Sequence, residues 1–234
     1  MQGLQLKVSG NWGHFKKPET NNNPLTHDFI TKTAFIGLVG AVLGIEREKM
    51  LPLFPQLSED LLYGVSVLNP VRKLSWGFTS SSAVSSTQQG SPKSFEFLKK
   101  PSFKVSLALM NHRSNDIFEK FIEYVREGNS VYTPVLGWHN CPANIEFISS
   151  GEFSKLKDGD FSTQSFVETD SNLHRPKLDV NFRVGFERIP TYQENFWNLP
   201  EKYKTVIYPD ANNTLTINGK YFEYSENQEK WWLI

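Results

Sequence analysis

The sequence has few of the residues from which covalent or metal-based sites are built. Cys141 is the single cysteine among 234 residues, which excludes a disulfide within the chain and any site with several thiolate ligands. It precedes Pro142, and we interpret it as a small core residue. Zinc-ligand spacings, glycine-rich phosphate loops and serine-hydrolase elbows are also missing. We therefore expect no metal site and no cofactor.

Long hydrophobic runs are missing as well. The longest one, residues 34–45, is too short to cross a bilayer. Residues 1–7 lack the basic and then apolar layout of a secretory signal. We expect a cytoplasmic protein with no membrane partner.

Net charge is absent, but the charges are unevenly distributed. Residues 1–126 carry 15 Lys and Arg against 10 Asp and Glu, whereas residues 127–234 carry 10 against 15. The segment 70–104 contains six basic residues and only Glu96 as an acid. A local basic patch can bind phosphates even in a neutral chain. The alternative is an ordinary solvated surface.

Hydrophobic periodicity predicts an α+β fold. Alternating apolar residues indicate strands, and apolar residues at three- and four-residue spacing indicate helices. In chain order the segments are strand 3–9, helix 33–44, strands 61–69 and 104–110, helix 116–127 and strand 143–149. This β-α-β-β-α-β order is that of a ferredoxin-like domain, although periodicity alone leaves other topologies open. We divide the chain into that domain, 1–150, and a β-rich extension, 151–234.

Several finer signals accompany these segments. Asp116 and Glu119 predict a capping box at the start of the second helix, and Gly128 predicts its end. Asn218-Gly219 is a strong signal for a tight hairpin turn. Residues 175–188 alternate basic and apolar side chains, which predicts one long strand with a charged face. The apolar segment 231–234 is expected to dock on the protein's own sheet, with partner contact as the alternative.

An insertion of about thirty residues, 70–101, separates the second and third predicted strands, where a ferredoxin-like hairpin would need only a few residues. Its middle, 75–91, has no charged residue and begins with two aromatics, Trp76 and Phe78. Arg72, Lys73 and Lys93 flank it. An extended hairpin of this composition can lie along single-stranded RNA, with lysines on phosphates and an aromatic against a base. The alternative is a flexible surface loop.

A cationic loop precedes the first helix. His14, Lys16 and Lys17 are followed by Asn21, Asn22 and Asn23, which favour an exposed loop within reach of phosphate oxygens. In the helix, Gly37, Gly40 and Gly44 are expected to let a neighbouring strand approach closely. An incidental basic loop beside a buried helix is the alternative.

The order of these residues resembles the CRISPR-associated family five proteins of the RAMP superfamily. The positions that fall into the family's frame are Phe29, Lys32, Thr33, Gly37, Leu38, Leu43 and Gly44. Ile30 and Thr31 stand where prolines are usual, and Lys32 replaces the usual arginine. Residues 134–137, Pro-Val-Leu-Gly, resemble a family turn, but Trp138 takes the place of a basic residue. Beyond Gly151 the resemblance fades.

The resemblance implies a non-catalytic subunit of a type I Cascade complex, type I-B-like, that holds the 5′ handle of the CRISPR RNA and caps the backbone filament. The insertion would be a thumb that wedges beside the guide. Implied partners are the handle, the backbone subunit, the large subunit and, through the assembled complex, target DNA. The predicted RNA-binding residues are His14, Lys16, Lys17, Lys32, Arg72, Lys73, Trp76, Phe78 and Lys93.

The same resemblance leaves a different function open for this chain, because one branch of that family cuts repeat RNA. Metal-free RNA cleavage needs a base for the 2′-hydroxyl and an acid for the leaving oxygen. The five histidines are His14, His27, His112, His139 and His174. His14 near Lys16 and His112 beside Arg113 are the most plausible pairs, but no spacing forces a base and an acid onto opposite sides of one phosphate. A metal-independent endoribonuclease is therefore the alternative to a binding subunit without catalytic residues.

Overall fold

The computed structural model describes residues 1–80, 91–170, 172–194 and 199–234, and it is a mixed α/β structure made mostly of strands. The helices are α1 (Lys32–Leu43), α2 (Arg47–Asp60) and α3 (Asn115–Arg126), with a 3-10 turn at His112–Ser114. The first seven strands are β1 (Gln2–Ser9), β2 (Trp12–Gly13), β3 (Leu61–Val67), β4 (Lys73–Ser80), β5 (Ser91–Lys99), β6 (Ser102–Leu109) and β7 (Asn144–Glu152). The remaining strands are β8 (Lys157–Thr163), β9 (Val167–Glu168), β10 (His174–Pro176), β11 (Val184–Tyr192), β12 (Lys202–Pro209), β13 (Leu215–Glu223) and β14 (Lys230–Trp231).

The central sheet has four antiparallel strands in the order β3-β6-β1-β7. Leu4, Leu6 and Val8 alternate along β1 and are completely buried, as expected for a strand with one face on the core. Phe35 of α1 meets Phe121 of α3 edge to face at 6.0 Å between ring centroids. Strands β1, β3, β6 and β7 and helices α1 and α3 confirm the six predicted segments, with ends shifted by a few residues.

Helix α1 begins and ends as its sequence predicts. The Thr31 hydroxyl accepts a hydrogen bond from the Ala34 amide, and Gly44 ends the helix in the left-handed region with φ 68°. The role predicted for the glycines is wrong, because the close neighbour of Gly40 is Met50 of α2 and not a strand. A Cβ at Gly40 would lie 2.9 Å from the Met50 sulfur.

Helix α2 has no counterpart in the sequence analysis. Pro52 and Pro55 lie inside it, and proline in a helix interior removes a backbone hydrogen bond. Met50, Phe54 and Leu57 are nevertheless buried on one face because their spacing of four and three residues matches a helix. Packing of this face outweighs the prolines.

The start of α3 differs from the prediction. Its N-cap is Ser114, which makes no side-chain capping bond, so the capping box of Asp116 and Glu119 is wrong. Glu119 instead accepts a hydrogen bond from the Asn115 side chain at 2.9 Å. Gly128 follows the helix with φ 71°, as expected for a glycine at a helix end.

The last third of the chain forms small sheets in which β13 is the most extensively paired strand. It pairs with β8, β10 and β14, so Asn218-Gly219 lies inside a strand and the predicted hairpin is wrong. A Cβ at Gly219 would lie 2.1 Å from the Leu173 carbonyl oxygen, so this glycine allows β10 to approach. The predicted long strand 175–188 is also wrong. Its first residues belong to β10, which pairs with β13, and its last residues belong to β11, which pairs with β12.

The final residues dock on the protein's own sheet, as predicted. Trp231, Trp232 and Leu233 are buried, and Ile234 exchanges two backbone hydrogen bonds of 2.9 Å with Tyr63 of β3. The Phe29 and Phe166 rings stack at 5.8 Å, so the core continues across the division predicted near residue 150, which stays a prediction. None of the described helices has the length and apolarity needed to span a membrane.

Candidate nucleic-acid interface

The loop after β2 is joined to the Pro-Val-Leu-Gly turn. The His14 amide donates to the Leu136 carbonyl at 2.9 Å. Gly137 has φ 81°, and a Cβ there would lie 2.1 Å from the His14 carbonyl oxygen. Because only glycine combines this backbone conformation with so close an approach, the turn and the loop form one surface.

The same loop is joined to the β4–β5 hairpin. Gly13 pairs with Leu98 of β5, and the His14 ring nitrogen Nδ1 lies 2.7 Å from the Glu96 carbonyl oxygen. The Thr26 amide donates to the Glu96 carboxylate at 3.1 Å, and the Glu96 amide donates to the Pro24 carbonyl at 3.0 Å. The two segments that the sequence analysis selected for RNA binding are therefore neighbours.

A cleft of about 530 Å³ opens between this loop, the start of α1 and the end of β11. Its lining residues are His14, Phe15, Lys16, Pro18, Asn21, Thr31, Thr33, Ala34, Gly137, Pro190, Gln193, Leu199 and Pro200. Lys16 is exposed, and no carboxylate belongs to the described lining. The first turn of α1 carries no acidic residue, so its amide dipoles add to the positive potential. The cleft is suited to an anion, and we call it the loop cleft.

An aromatic cluster covers one face of the hairpin. Trp76 lies opposite Phe95 in the β4–β5 register, and Phe78 lies opposite Lys93. Phe95 stacks on Trp138 with 5.2 Å between ring centroids and 8° between planes. Trp76 and Phe78 remain 40% and 38% exposed. This face offers aromatic surfaces to a base, with Lys93 beside them.

Trp12, Phe95, Phe97 and Trp138 of this cluster were missed as site residues. Two signals in the sequence could have indicated these residues: the strand-like alternation of residues 93–98, and the position of Trp138 directly after the turn that resembles the family. The sequence could not show that Trp138 packs on a strand forty residues away. Trp138 stands where the resembling family has a basic residue, and here it provides stacking in place of charge.

Two of the predicted phosphate ligands are engaged inside the protein. The Lys17 ammonium lies 3.0 Å from the Glu187 carboxylate of β11. The Lys73 ammonium lies 2.6 Å from the Asp28 carboxylate and 2.8 Å from the Thr26 carbonyl oxygen. Both lysines therefore tie the loop to its neighbours, and their charges are largely neutralised.

The Asp28 carboxylate, which contacts Lys73 of the hairpin and Tyr208 of β12, is held ionised. Burial works to raise the pKa of Asp28, but hydrogen bonds from Lys73 and Tyr208 outweigh it and lower the pKa. Burial also works to lower the pKa of Lys73, and the bond to Asp28 raises it instead. The His27 ring nitrogen Nδ1 lies 2.9 Å from the other Glu187 oxygen. Loop, hairpin and the β11–β12 pair share this buried polar network.

Lys32 does not reach the surface. It is 5% exposed, and its ammonium donates to the Ile234 carbonyl at 3.2 Å. Burial lowers the pKa of Lys32 to about 8. The predicted phosphate contact does not fit this position, because the Lys32 ammonium is buried and bonded to Ile234. Arg72 is exposed just before β4.

The histidines occupy separate environments. His14 and His27 are buried, and burial lowers the pKa of His14. Both ring nitrogens of His174 face backbone carbonyls, those of Glu168 and Lys220. His139 is exposed on the turn after Trp138, where the two rings meet edge to face.

His112 is exposed on the 3-10 turn, and its neighbour Arg113 is occupied by two carboxylates. The Arg113 side chain donates to Asp60 at 2.8 Å and to Glu59 at 2.9 Å. Within residues 1–80, 91–170, 172–194 and 199–234, no group of three His, Cys, Asp or Glu side chains is placed to hold a metal.

Comparisons with known proteins give one family match and several structural likenesses. A family model described as CRISPR-associated protein (Cas_Cas5) matches residues 3–207. A crystal structure of a CRISPR protein from Archaeoglobus fulgidus is similar at 14% identity and TM-score 0.60, covering 99% of this chain and 98% of that one. A chain of a CRISPR RNA-guided surveillance complex is similar at 12% identity and TM-score 0.56, covering 89% and 90%. These two likenesses show the fold.

A search among curated proteins finds no match. The family model, however, covers most of the chain, from β1 through most of β12. The loop cleft, the hairpin and the turn at Gly137 all lie within the matched residues. The chain therefore belongs to the CRISPR-associated Cas_Cas5 family.

Proposed function

We propose that this chain is a non-catalytic RNA-binding subunit of a type I CRISPR effector complex, type I-B-like, that holds the 5′ handle of the guide RNA. It caps the backbone filament of a cytoplasmic ribonucleoprotein. Its partners are the guide, the backbone subunit, the large subunit and, through the assembled complex, target DNA. Similarity to a chain of an RNA-guided surveillance complex and membership of the family support this assignment.

The observation that carries the proposal is the joined surface of loop, turn and hairpin. A single RNA strand needs phosphate contacts and stacking surfaces along one path. Lys16 in the loop cleft supplies a cation, and Trp76 and Phe78 supply partly exposed rings. Lys93 lies on the hairpin that carries these rings and Arg72 directly precedes its first strand, so all five residues belong to one connected surface.

The predicted site divides into contact residues and supporting residues. Lys16, Arg72 and Lys93 are the proposed phosphate contacts, and Trp76 and Phe78 the stacking contacts. His14, Lys17 and Lys73 position the loop through the bonds described above, and Lys32 supports α1 from within the fold.

We also propose that the central sheet is a ferredoxin-like RAMP domain with a thumb. The strand order β3-β6-β1-β7 with α1 and α3 supports the first part, and the β4–β5 hairpin supports the second. The uncharged centre of the predicted thumb, 81–90, lies outside the described residues.

The experiment reverses the charge of Lys16, whose side chain is exposed. Lys17 is unsuitable for reversal because a glutamate there would face Glu187. In fluorescence anisotropy with a repeat-derived handle RNA at about 0.1 M salt, Lys16→Glu should raise Kd roughly tenfold. Lys155→Glu, exposed after β7, is the matched control. Equal affinities of Lys16→Glu and the control would contradict the proposal.

The non-catalytic part has its own test. The chain is incubated with full repeat RNA in EDTA, and we expect the RNA to remain intact. A discrete cut that His14→Ala or His112→Ala abolishes would overturn this part and establish the endoribonuclease instead.

A further inference from the structure

A second concave surface lies at the base of the hairpin and shares no lining residue with the loop cleft. It consists of two adjoining pockets of about 630 and 330 Å³ that have Asn11, Lys100 and Pro142 in common. The remaining lining residues are Lys7, Ser9, Gly10, Trp12, Asn69, Lys99, Pro101, Ser102, Asn140, Ala143 and Asn144. We call this surface the basal groove.

The basal groove is positively charged. Lys99 and Lys100 are exposed, and among the described residues neither ammonium has a carboxylate within ion-pair distance. Lys7 is different, because its ammonium lies 3.0 Å from Glu146. No acidic side chain belongs to the described lining. Two adjacent unpaired cations in a concave polar surface raise the local concentration of anions.

Lys100 has a backbone conformation that favours glycine. Its φ is 49°, in the left-handed region that a lysine adopts only at an energetic cost. The conformation is fixed because the Lys100 amide donates to the Asn11 carbonyl at 2.8 Å, and Asn69 donates to the Lys100 carbonyl at 3.0 Å. A strained position that holds a lysine points to a use for the side chain.

Amide and indole groups complete the basal groove. Asn11 and Asn140 are exposed, and each carries a donor and an acceptor that can pair with a base edge. Trp12 is half-buried and contacts Trp76 with 4.4 Å between ring centroids. This contact connects the basal groove to the aromatic face of the hairpin.

We propose that the basal groove binds a segment of single-stranded nucleic acid outside the handle. Lys99 and Lys100 contact successive phosphates, Asn11 and Asn140 contact base edges, and Trp12 stacks on a base. An acidic protein segment would use the lysines but would have no need of an indole face continuous with the hairpin rings. The inference does not require that the loop cleft hold a handle.

The test uses the full chain carrying Lys99→Ala and Lys100→Gly together. Glycine suits φ 49°, so we expect the thermal midpoint to stay within a few degrees of the unaltered chain. The probes are a 15-nucleotide RNA without repeat sequence and a DNA of the same sequence, each followed by anisotropy over a range of salt concentrations. Loss of two phosphate contacts should weaken binding at least tenfold and reduce the slope of log K against log salt by about 1.4.

Lys155→Ala is the matched control, because Lys155 is exposed at the opposite end of the β1–β7 ladder. An effect on the RNA alone identifies a guide segment, and an effect on both probes identifies the sugar-independent chemistry shared with target DNA; both results support the inference. An unchanged salt slope, or no binding of either probe by the unaltered chain at about 50 mM salt, overturns it. The inference would also be overturned if the double variant binds nucleic acid as the unaltered chain does but no longer associates with a protein subunit. The basal groove would then be a protein interface.

The two proposals fail separately. Lys16→Glu reports on the loop cleft with the handle RNA, and the double variant reports on the basal groove with RNA that has no handle. A failure of one leaves the other measurement intact.

Discussion

Lys73 should stabilise the fold by holding the loop against the hairpin. Its ammonium contacts the Asp28 carboxylate and the Thr26 carbonyl, and lies 3.4 Å from Glu96. The Asp28 side chain is 11% exposed and that of Lys73 25%. Removing one partner of a fully buried pair costs roughly 3–5 kcal/mol. Because Lys73 is a quarter exposed, we expect Lys73→Met to lower the free energy of unfolding by about 2–3 kcal/mol.

The assay is urea denaturation followed by circular dichroism, with Lys99→Met as the control. Lys99 is exposed on the neighbouring strand and should change stability by less than about 0.5 kcal/mol. Adding Asp28→Asn to Lys73→Met should restore about half of the loss, because the buried Asp28 carboxylate is then no longer left without its counter-ion. A loss below about 1 kcal/mol for Lys73→Met would refute the reasoning.

The pH dependence follows from the directions of the two pKa values. The folded-state pKa of Asp28 lies below the ordinary 3.8, so its stabilisation is complete above that pH and is lost as pH falls through the folded value. The folded-state pKa of Lys73 lies above the ordinary 10.5, so its stabilisation is lost only as pH rises beyond that value. The difference between the protein and Lys73→Met should therefore be constant from about pH 5 to 9 and shrink in acid.

Two further predictions concern the site. Gly137→Ala should destabilise the fold by at least about 2 kcal/mol in the same denaturation assay, because its Cβ would meet the His14 carbonyl; a neutral effect would contradict the close approach of turn and loop. Lys32→Met should be at least as stable as the unaltered chain at pH 7. The stability advantage of Lys32→Met over the unaltered chain should shrink by up to about 3 kcal/mol as pH rises from 8 to 10.5. The reason is that burial lowers the pKa of Lys32 to about 8. A stability difference that does not change over this pH range would contradict a buried ammonium.

Much of the central sheet could be predicted because its signals are local. The alternation of Leu4, Leu6 and Val8 and the helical spacing of α3 each lie within a dozen residues. The α2 prolines obscured a helix that forms through packing of Met50, Phe54 and Leu57. The Asn218-Gly219 signal failed because its meaning depends on strands β8 and β10 on either side.

The sequence predicted the segments that form the site better than the role of each residue in them. The loop and the hairpin were selected from their basic and aromatic residues, and the structure brings them together. The sequence could not distinguish Lys16, which is exposed, from Lys17, whose partner Glu187 lies 170 residues away. Nor could it show that Trp138 would stack on Phe95. Long-range pairing of this kind is decided by tertiary packing.

The hydrogen bonds between the loop and the hairpin bear on the thermodynamics of binding. Thr26, Glu96 and Pro24 are already fixed against one another in the free chain. When a ligand binds to these preorganised residues, no interaction energy is offset by the cost of ordering them. Association there should resemble rigid docking, with a small change in heat capacity and fast on-rates.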